Sequence, residues 1–387
     1  MNISSFPALL AQPNAVLEAP SFFIAKGVSR LFVLTDPFIH KAGLLDGLLA
    51  AFAEKEVEVT LYSDFSGEPK LSKMEEIVAL AKDTDCQGVM GVGGGSALDM
   101  AKILSITLAG DRPADDYWMM AHDLPAQSLP SIMVPTTAGT GSESCSTNII
   151  SDAHGHKGWV WGAQTKPDLI LLDPVLSVSL PAHLTGWCGM DAIVHAFEAS
   201  TNKYSHISAM SYGHQALKLA IEALPKVMKD GSDLNARTQM LLASTWAGAA
   251  IDQVGCAVAH HISHAMAGVG PIHHGRATAI GFEVTLGWLC SDDLPEDGVD
   301  KYNRLARHLG LSDYHDLPVF FTRFMDDCGI DRSLPPHFKE FDKDKLTEQL
   351  LADHTQSMRL ATQKEVSEHV IATIINSLSE LPIHSDY

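Results

Sequence analysis

Over the first 180 residues the apolar positions come as short unbroken runs separated by helical stretches, and beyond that the strand pattern fades and helical spacing takes over. The run at residues 30–36 (RLFVLTD) is too short for a helix and ends on an acidic residue, as a buried parallel strand does. Helical periodicity follows at 41–55, and another strand pattern at 57–62. A third run, 86–92, leads into Gly93-Gly94-Gly95-Ser96 and then an amphipathic helix, and a fourth, 131–134, leads into a loop. This β-α-β alternation predicts a doubly wound, mostly parallel sheet. From Pro181 onward the spacing predicts helices at 184–200, 206–228, 234–252 and 256–268, with further helical segments to the C-terminus. The expected organisation is an α/β domain over 1–180 and an all-α domain over 181–387.

The two strand-end loops carry the first candidate chemistry. Glycines at a strand-to-helix turn let backbone approach a ligand, and the helix start presents unpaired N–H groups to an anion such as a diphosphate. The turn at Gly93 to Ser96 is not the G-x-G-x-x-G fingerprint, because Ser96 stands at the third glycine position, so a purely structural turn remains an alternative. Residues 135–143 (PTTAGTGSE) add Thr136, Thr137, Thr140 and Ser142, a loop rich in hydroxyl donors. Two such loops at strand ends of one sheet predict a nucleotide crevice, since ligands of open α/β sheets bind at the carboxyl ends of strands. Asp36, ending the first strand, is placed to accept from a ribose hydroxyl and to repel a 2′-phosphate, which favours NAD over NADP; an ordinary strand-end aspartate is the competing reading.

The helical half supplies candidate metal ligands. Five of the 19 histidines fall between His260 and His274, a density that core packing does not need, because a buried imidazole must find hydrogen-bond partners. Asp191 and His195 are four apart on one helix and share a face among apolar neighbours, either as a buried ion pair or as half of a metal site. His260 and His264 share a second helical face, His261 points elsewhere, and His274 follows a glycine-containing turn. One Asp with two or three His makes a hard nitrogen-and-oxygen set that suits Fe(II) or Zn(II); spacing alone does not choose among the neighbouring histidines.

Composition narrows the class. With 46% hydrophobic and 19% charged residues the 387-residue chain is globular, and its net charge of −20 makes nucleic acid or an anionic membrane surface an unsuitable partner. Six scattered cysteines without C-x-x-C spacing fit a reducing cytoplasm rather than a disulfide framework or zinc finger. No run reaches the ~18 apolar residues of a membrane helix. A soluble cytoplasmic protein is expected.

Together these motifs resemble the iron-containing (group III) alcohol dehydrogenase family. The resemblance rests on the strand ending Thr35-Asp36, the Gly93 to Ser96 loop with Asp99 and Lys102 behind it, Pro135 to Glu143, Gly189 to Glu198, and Ala247 to Gly275. It implies NAD as cofactor, with Asp36, Gly93, Gly94, Gly95, Ser96, Asp99, Thr136, Thr137, Thr140 and Ser142 at its site. It also implies a divalent metal, Fe(II) or alternatively Zn(II), held by Asp191, His195, His260 and His274. His264, and after it His273, is expected to carry the proton, and the active site is expected in the cleft between the domains. Hydride transfer between NAD(H) and a small-molecule alcohol, aldehyde or ketone is the implied reaction, in a homodimer. Cys188, Gly268, His273, Thr278 and Glu283 depart from the family's common residues. A dehydroquinate-synthase-like cyclase or lyase, and a non-catalytic NAD- and metal-binding protein, are the rival readings.

Overall fold

The computed structural model describes residues 5–65, 67, 69–152 and 157–384. They fall into two compact units that divide between Leu180 and Pro181.

The first unit is built on β1 (Ala8–Ala11), β2 (Arg30–Thr35), β3 (Glu58–Tyr62), β4 (Gly88–Gly93), β5 (Ser131–Pro135), β6 (Thr147–Ser151), β7 (Lys157–Trp161) and β8 (Leu169–Leu172). Six of these form a sheet in the order β1-β8-β5-β4-β2-β3, and every pairing in it is parallel. β6 and β7 pair separately as an antiparallel hairpin. The continuous apolar runs read from the sequence are the central strands, buried on both faces: all six residues of β4 and all five of β5 are buried. The helices of this unit are α1 (Ala19–Ala25), α2 (Pro37–Lys41), α3 (Asp46–Glu54), α4 (Leu71–Asp83) and α5 (Gly95–Ala109). One apolar cluster packs α4 and α5 on one face of the sheet, and a second packs α1 and α3 on the other.

β2 pairs with β3 on one side and β4 on the other, so the winding direction reverses between β2 and β4. A crevice opens where two adjacent strands send their connections to opposite sides, and Asp36 and Gly94 stand at those two strand ends.

The helix expected at 41–55 is α3, which starts later, at Asp46, and α2 ends at Lys41 before it. Gly43 lies between them, with φ +67, a backbone conformation that side chains with a Cβ rarely adopt. β1, β6, β7 and β8 add strands outside the sequence expectation.

The second unit is helical. Its first five helices are α6 (Ala182–Thr201), α7 (Ile207–Lys229), α8 (Leu234–Val254), α9 (Val258–Val269) and α10 (His274–Leu289). They are followed by α11 (Glu296–His308), α12 (Leu317–Asp327), α13 (Lys343–Leu351), α14 (Gln356–Ala361) and α15 (Glu368–Ser379). α6 is buried from Thr185 to Thr201, which makes it the central helix of this unit. Phe197 of α6 meets Phe282 of α10 edge-on at 4.9 Å between ring centroids, and Phe321 of α12 lies against both, so α6 and α10 are locked together. Small residues let helix backbones touch. A Cβ on Gly281 of α10 would lie 2.6 Å from the Ala259 carbonyl oxygen of α9, and one on Gly275 would lie 2.3 Å from the Trp187 carbonyl oxygen of α6. Among the described residues no single helix is long and apolar enough to cross a membrane.

Candidate functional site

Three helices deliver the acidic and imidazole groups of the second unit to one point. α6 contributes Asp191 and His195 one turn apart, α9 contributes His260, and α10 begins at His274. α8 and α9 meet at a corner of 95°. The turn needs Gly255, whose φ is +74, and Nδ2 of Asn202, which follows the last residue of α6, donates to the Val254 and Gly255 carbonyls at 3.2 and 2.9 Å. Without that corner α9 would continue the line of α8. Gly275 permits the start of α10 to touch the backbone of α6, which brings His274 to Asp191.

One ligand atom from each of Asp191, His195, His260 and His274 lies within 4.8 Å of the others. Asp191 Oδ1 is 3.4 Å from both His260 Nε2 and His274 Nε2, and the rings of His195 and His260 stack at 4.1 Å. Asp191 Oδ1 and His260 Nε2 are buried and make no hydrogen bond. Two such atoms facing one another in a dry interior need a positive charge between them, a proton on Nε2 or a metal ion. Side-chain exposure is 3% for Asp191, 6% for His195 and 2% for His260, but 36% for His274, so the cluster is closed on all sides except one.

The histidine orientations are fixed from behind. His260 Nδ1 lies 2.7 Å from Glu198 Oε2, and a carboxylate can only accept, so Nδ1 carries the proton and Nε2 is turned to Asp191. His274 Nδ1 lies 3.0 Å from Ser263 Oγ, whose hydroxyl donates to the His274 carbonyl at 3.2 Å. Burial alone would depress the His260 imidazole, but the carboxylates of Glu198 and Asp191 outweigh it and push it up to about 9. Burial alone would raise Asp191, yet the surrounding imidazoles of His195, His274 and His260 hold it far below the usual carboxylate range. The Cys188 thiol, on the same helix, is pushed up to about 12 by burial and by Asp191, so it stays protonated and leaves the donor set nitrogen and oxygen. Glu198, Cys256 and His260 also cluster, but there the Glu198 oxygens already accept from Ala257 N–H, Ala259 N–H and His260.

The remaining histidines separate. The His264 ring stands 5.6 Å from that of His274, on the side where the cluster is exposed. His261 is fully buried and its Nε2 lies 2.9 Å from the Leu350 carbonyl oxygen. His273 precedes the first turn of α10, and its ring lies against the Trp187 indole at 5.2 Å and 31° rather than among the four clustered groups. Arg276 covers the same indole and His183 meets it edge-on, so Trp187 is caged by three cationic or polar side chains. Two of the departures have local reasons: Glu283 pairs with Arg332 at 2.8 Å, and the side chain of Gln349 fills the space a Cβ on Gly268 would take.

In the first unit the two predicted loops meet. Gly94 N–H donates to Asp36 Oδ2 at 2.8 Å, tying the ends of β2 and β4 together. A Cβ on Gly93 would lie 2.1 Å from that same oxygen, and one on Gly95 would lie 2.9 Å from Thr140 Cγ2, so both glycines are required by packing within the protein. Thr136 N–H donates to the Gly93 carbonyl, and Thr137 lies beside Gly94. Gly95 and Ser96 are the first residues of α5, where backbone N–H groups have no intrahelical acceptor. Asp99 and Ser142 behave differently from the expectation that both face a cofactor. The Ser142 hydroxyl donates to Asp99, which also accepts from Ile149 N–H and pairs with buried Lys102. Lys102 in turn donates to the Ser142 and Cys145 carbonyls at 2.7 and 3.2 Å. Both side chains are buried in this network, which fixes the shape of the second loop from within. Burial raises Asp36 against the opposing pull of the Gly94 N–H.

Comparison with known proteins bears on both units. The family model described as "Iron-containing alcohol dehydrogenase" matches residues 7–174, and that described as "Fe-containing alcohol dehydrogenase family, C-terminal" matches residues 185–378. The chain is 36% identical over 280 residues to a probable alcohol dehydrogenase, EutG, of Escherichia coli, covering 71% of this chain and 69% of the relative. It is 32% identical over 275 residues to an NAD-dependent methanol dehydrogenase of Bacillus methanolicus, covering 71% and 72%. The crystal structure of sulfoacetaldehyde reductase from Bifidobacterium kashiwanohense in complex with NAD+ has the same fold, with a TM-score of 0.88 over 98% of each chain at 22% identity.

The protonation of the cluster generates a prediction. Uptake of a divalent metal at His260 Nε2 must displace the proton that the imidazole otherwise holds up to about pH 9. Metal affinity of the apo chain is therefore expected to rise about tenfold per pH unit between pH 6 and 8, with a proton released per metal. Zinc titrations against a competing chelator at several pH values measure this, and a flat profile contradicts it.

Proposed function

The chain belongs to the iron-containing alcohol dehydrogenase family, and on that premise we propose that it transfers a hydride between NAD(H) and a small alcohol or its carbonyl partner, at a divalent metal held by Asp191, His195, His260 and His274. An NAD-dependent alcohol oxidoreductase is what the family and its relatives support. The observation that carries the metal assignment is the convergence of one ligand atom from each of Asp191, His195, His260 and His274 within 4.8 Å, with Asp191 Oδ1 and His260 Nε2 facing each other at its buried centre. When bound, a divalent metal supplies Lewis acidity, lowering the pKa of an alcohol hydroxyl or polarising a carbonyl. The donor set contains no thiolate and suits Fe(II), with Zn(II) as the other metal it accepts.

The chain's own residues set the rest. Asp191 lends the negative charge that three neutral imidazoles lack, and burial on three sides keeps water from competing. The exposed edge at His274 is where a substrate oxygen enters. His264 borders that edge and is assigned to pass the proton between substrate and solvent. His273, engaged with Trp187, is reassigned from proton carrier to wall of the entrance.

For the dinucleotide, NAD when bound carries the hydride. The N–H groups of Gly95 and Ser96 suit its diphosphate. Thr137 and Thr140, against Gly94 and Gly95, supply hydroxyls. One oxygen of Asp36 is spent on Gly94, and the other is assigned to a ribose hydroxyl, where its charge disfavours a 2′-phosphate. Asp99 and Ser142 are assigned to hold the loop rather than to touch the cofactor.

The relatives are named for methanol, long-chain alcohols, choline and sulfoacetaldehyde, so likeness does not choose a substrate. An aldehyde panel followed through NADH absorbance does, and net NADH formation from a simple alcohol excludes a cyclase or a binding protein. His260→Ala is expected to lose its metal, whereas His264→Ala retains it and slows turnover by roughly 10- to 100-fold; metal analysis of both purified variants decides, and equal loss in the two contradicts the assignment. kcat/KM is expected to be higher with NAD than with NADP, with Asp36→Ala narrowing the ratio; an NADP preference in the unaltered chain contradicts the role of Asp36.

A further inference from the structure

Glu198 is a fully buried carboxylate on α6 that belongs neither to the four proposed ligands nor to the apolar core. Isolated in such surroundings a carboxylate is costly to keep charged, so what it touches indicates why it is there. Its Oε2 accepts from Ala257 N–H at 2.7 Å and lies 2.7 Å from His260 Nδ1, and its Oε1 accepts from Ala259 N–H at 2.7 Å.

Two of those contacts are to the start of α9. Ala257 precedes the helix and has no side chain that caps it, so an acidic residue from another helix does that work. A negative charge against the first amides of a helix is favourable, because those N–H groups have no intrahelical acceptor and carry the positive end of the helix dipole. Glu198 thereby pins the first turn of α9 at the 95° corner, beside the bonds from Asn202. The third contact fixes the tautomer of His260. With Nδ1–H held by Glu198, only Nε2 offers a lone pair, and it points at Asp191.

We propose that Glu198 is the positioning residue of the metal centre: one carboxylate holds both the helix that carries His260 and the imidazole's orientation and tautomer, and through them it sets how tightly the metal is held. The inference rests on the metal reading given above. It makes Glu198 an outer partner of a ligand histidine, an arrangement whose removal typically lowers metal affinity 10- to 100-fold. His274 Nδ1 lies 3.0 Å from the Ser263 hydroxyl, a neutral group, where His260 Nδ1 meets a carboxylate.

The test uses Glu198→Gln, which keeps the shape and removes the charge. An amide NH2 group placed against His260 would oblige Nδ1 to accept, moving the ring proton to Nε2, where it blocks the metal. Co(II) serves as the probe, added to the metal-free full-length chain in competition with a chelator and followed by its visible d–d spectrum. Glu198→Gln is expected to bind Co(II) 10- to 100-fold more weakly, with an altered spectrum and unchanged NADH affinity. A residue that only supports the fold would lower the melting temperature and leave the Co(II) affinity and spectrum of the folded protein as they were, and that result overturns the proposal. Should the variant fail to fold, nitrogen-15 spectra of the zinc-loaded unaltered chain decide. A slowly exchanging proton on His260 Nδ1 supports the proposal, and a bare Nδ1 overturns it. Failure of the unaltered chain to take up Co(II) overturns the metal reading and this inference with it; uptake that the substitution does not alter overturns this inference alone.

Discussion

A carboxylate oxygen and an imidazole nitrogen, both buried and both turned toward each other as acceptors, are the constraint around which the helical unit is arranged. Asp191 Oδ1 and His260 Nε2 stand 3.4 Å apart with no hydrogen bond. Lone pairs so placed repel unless a proton or a metal ion stands between them, and leaving buried acceptors unsatisfied costs about 1–3 kcal/mol each. The surrounding features act to keep this arrangement rather than relieve it. Glu198 holds the His260 proton on the far nitrogen, and Ser263 does the same for His274. The 95° corner and the glycine at 275 bring three helices within reach of one another. The aromatic contacts of Phe197, Phe282 and Phe321 stop α6 and α10 from separating.

The first unit solves a different problem with related means. A dinucleotide is recognised by backbone amides and hydroxyls, and these must be presented in a fixed shape without being consumed. Asp36 fastens one loop by accepting from Gly94, and the buried Lys102, Asp99 and Ser142 network fastens the other from the inside. The two loops then touch through Thr137 and Thr140 against Gly94 and Gly95. The glycines answer to neighbouring side chains of the protein itself, which is a stricter requirement than a ligand's approach.

How much of this was legible from sequence depends on the distance over which each signal acts. The central strands are short unbroken apolar runs and the helices of the second unit lack any strand pattern, so both could be read, as could Asp191 and His195, one turn apart. The late start of α3 could not be read from periodicity, because the positive φ of Gly43 delays the helix without altering the apolar spacing. β1 is four residues long and pairs with β8 some 160 positions away, too short and too distant for a pattern. Asp99 and Ser142 were expected at the cofactor because hydroxyl and acidic side chains near glycines suit one; their mutual bond spans 43 positions and only the fold discloses it. Glu198 was visible as the end of a motif, but its partner is 62 residues later and its work on α9 depends on the corner between helices. His273 sits next to a proposed ligand in sequence, yet at a helix start the adjacent residue points away, and its ring lies on Trp187.

The proposed activity rests on one metal per chain, held by the proposed ligands Asp191, His195, His260 and His274. Chelator-stripped protein, reconstituted anaerobically with increasing Fe(II) and assayed for NADH formation from a primary alcohol, tests it most directly. No turnover is expected without metal, and a linear rise that stops at one equivalent per chain. Full turnover by the stripped protein, or a rise that continues well past one equivalent, would contradict it.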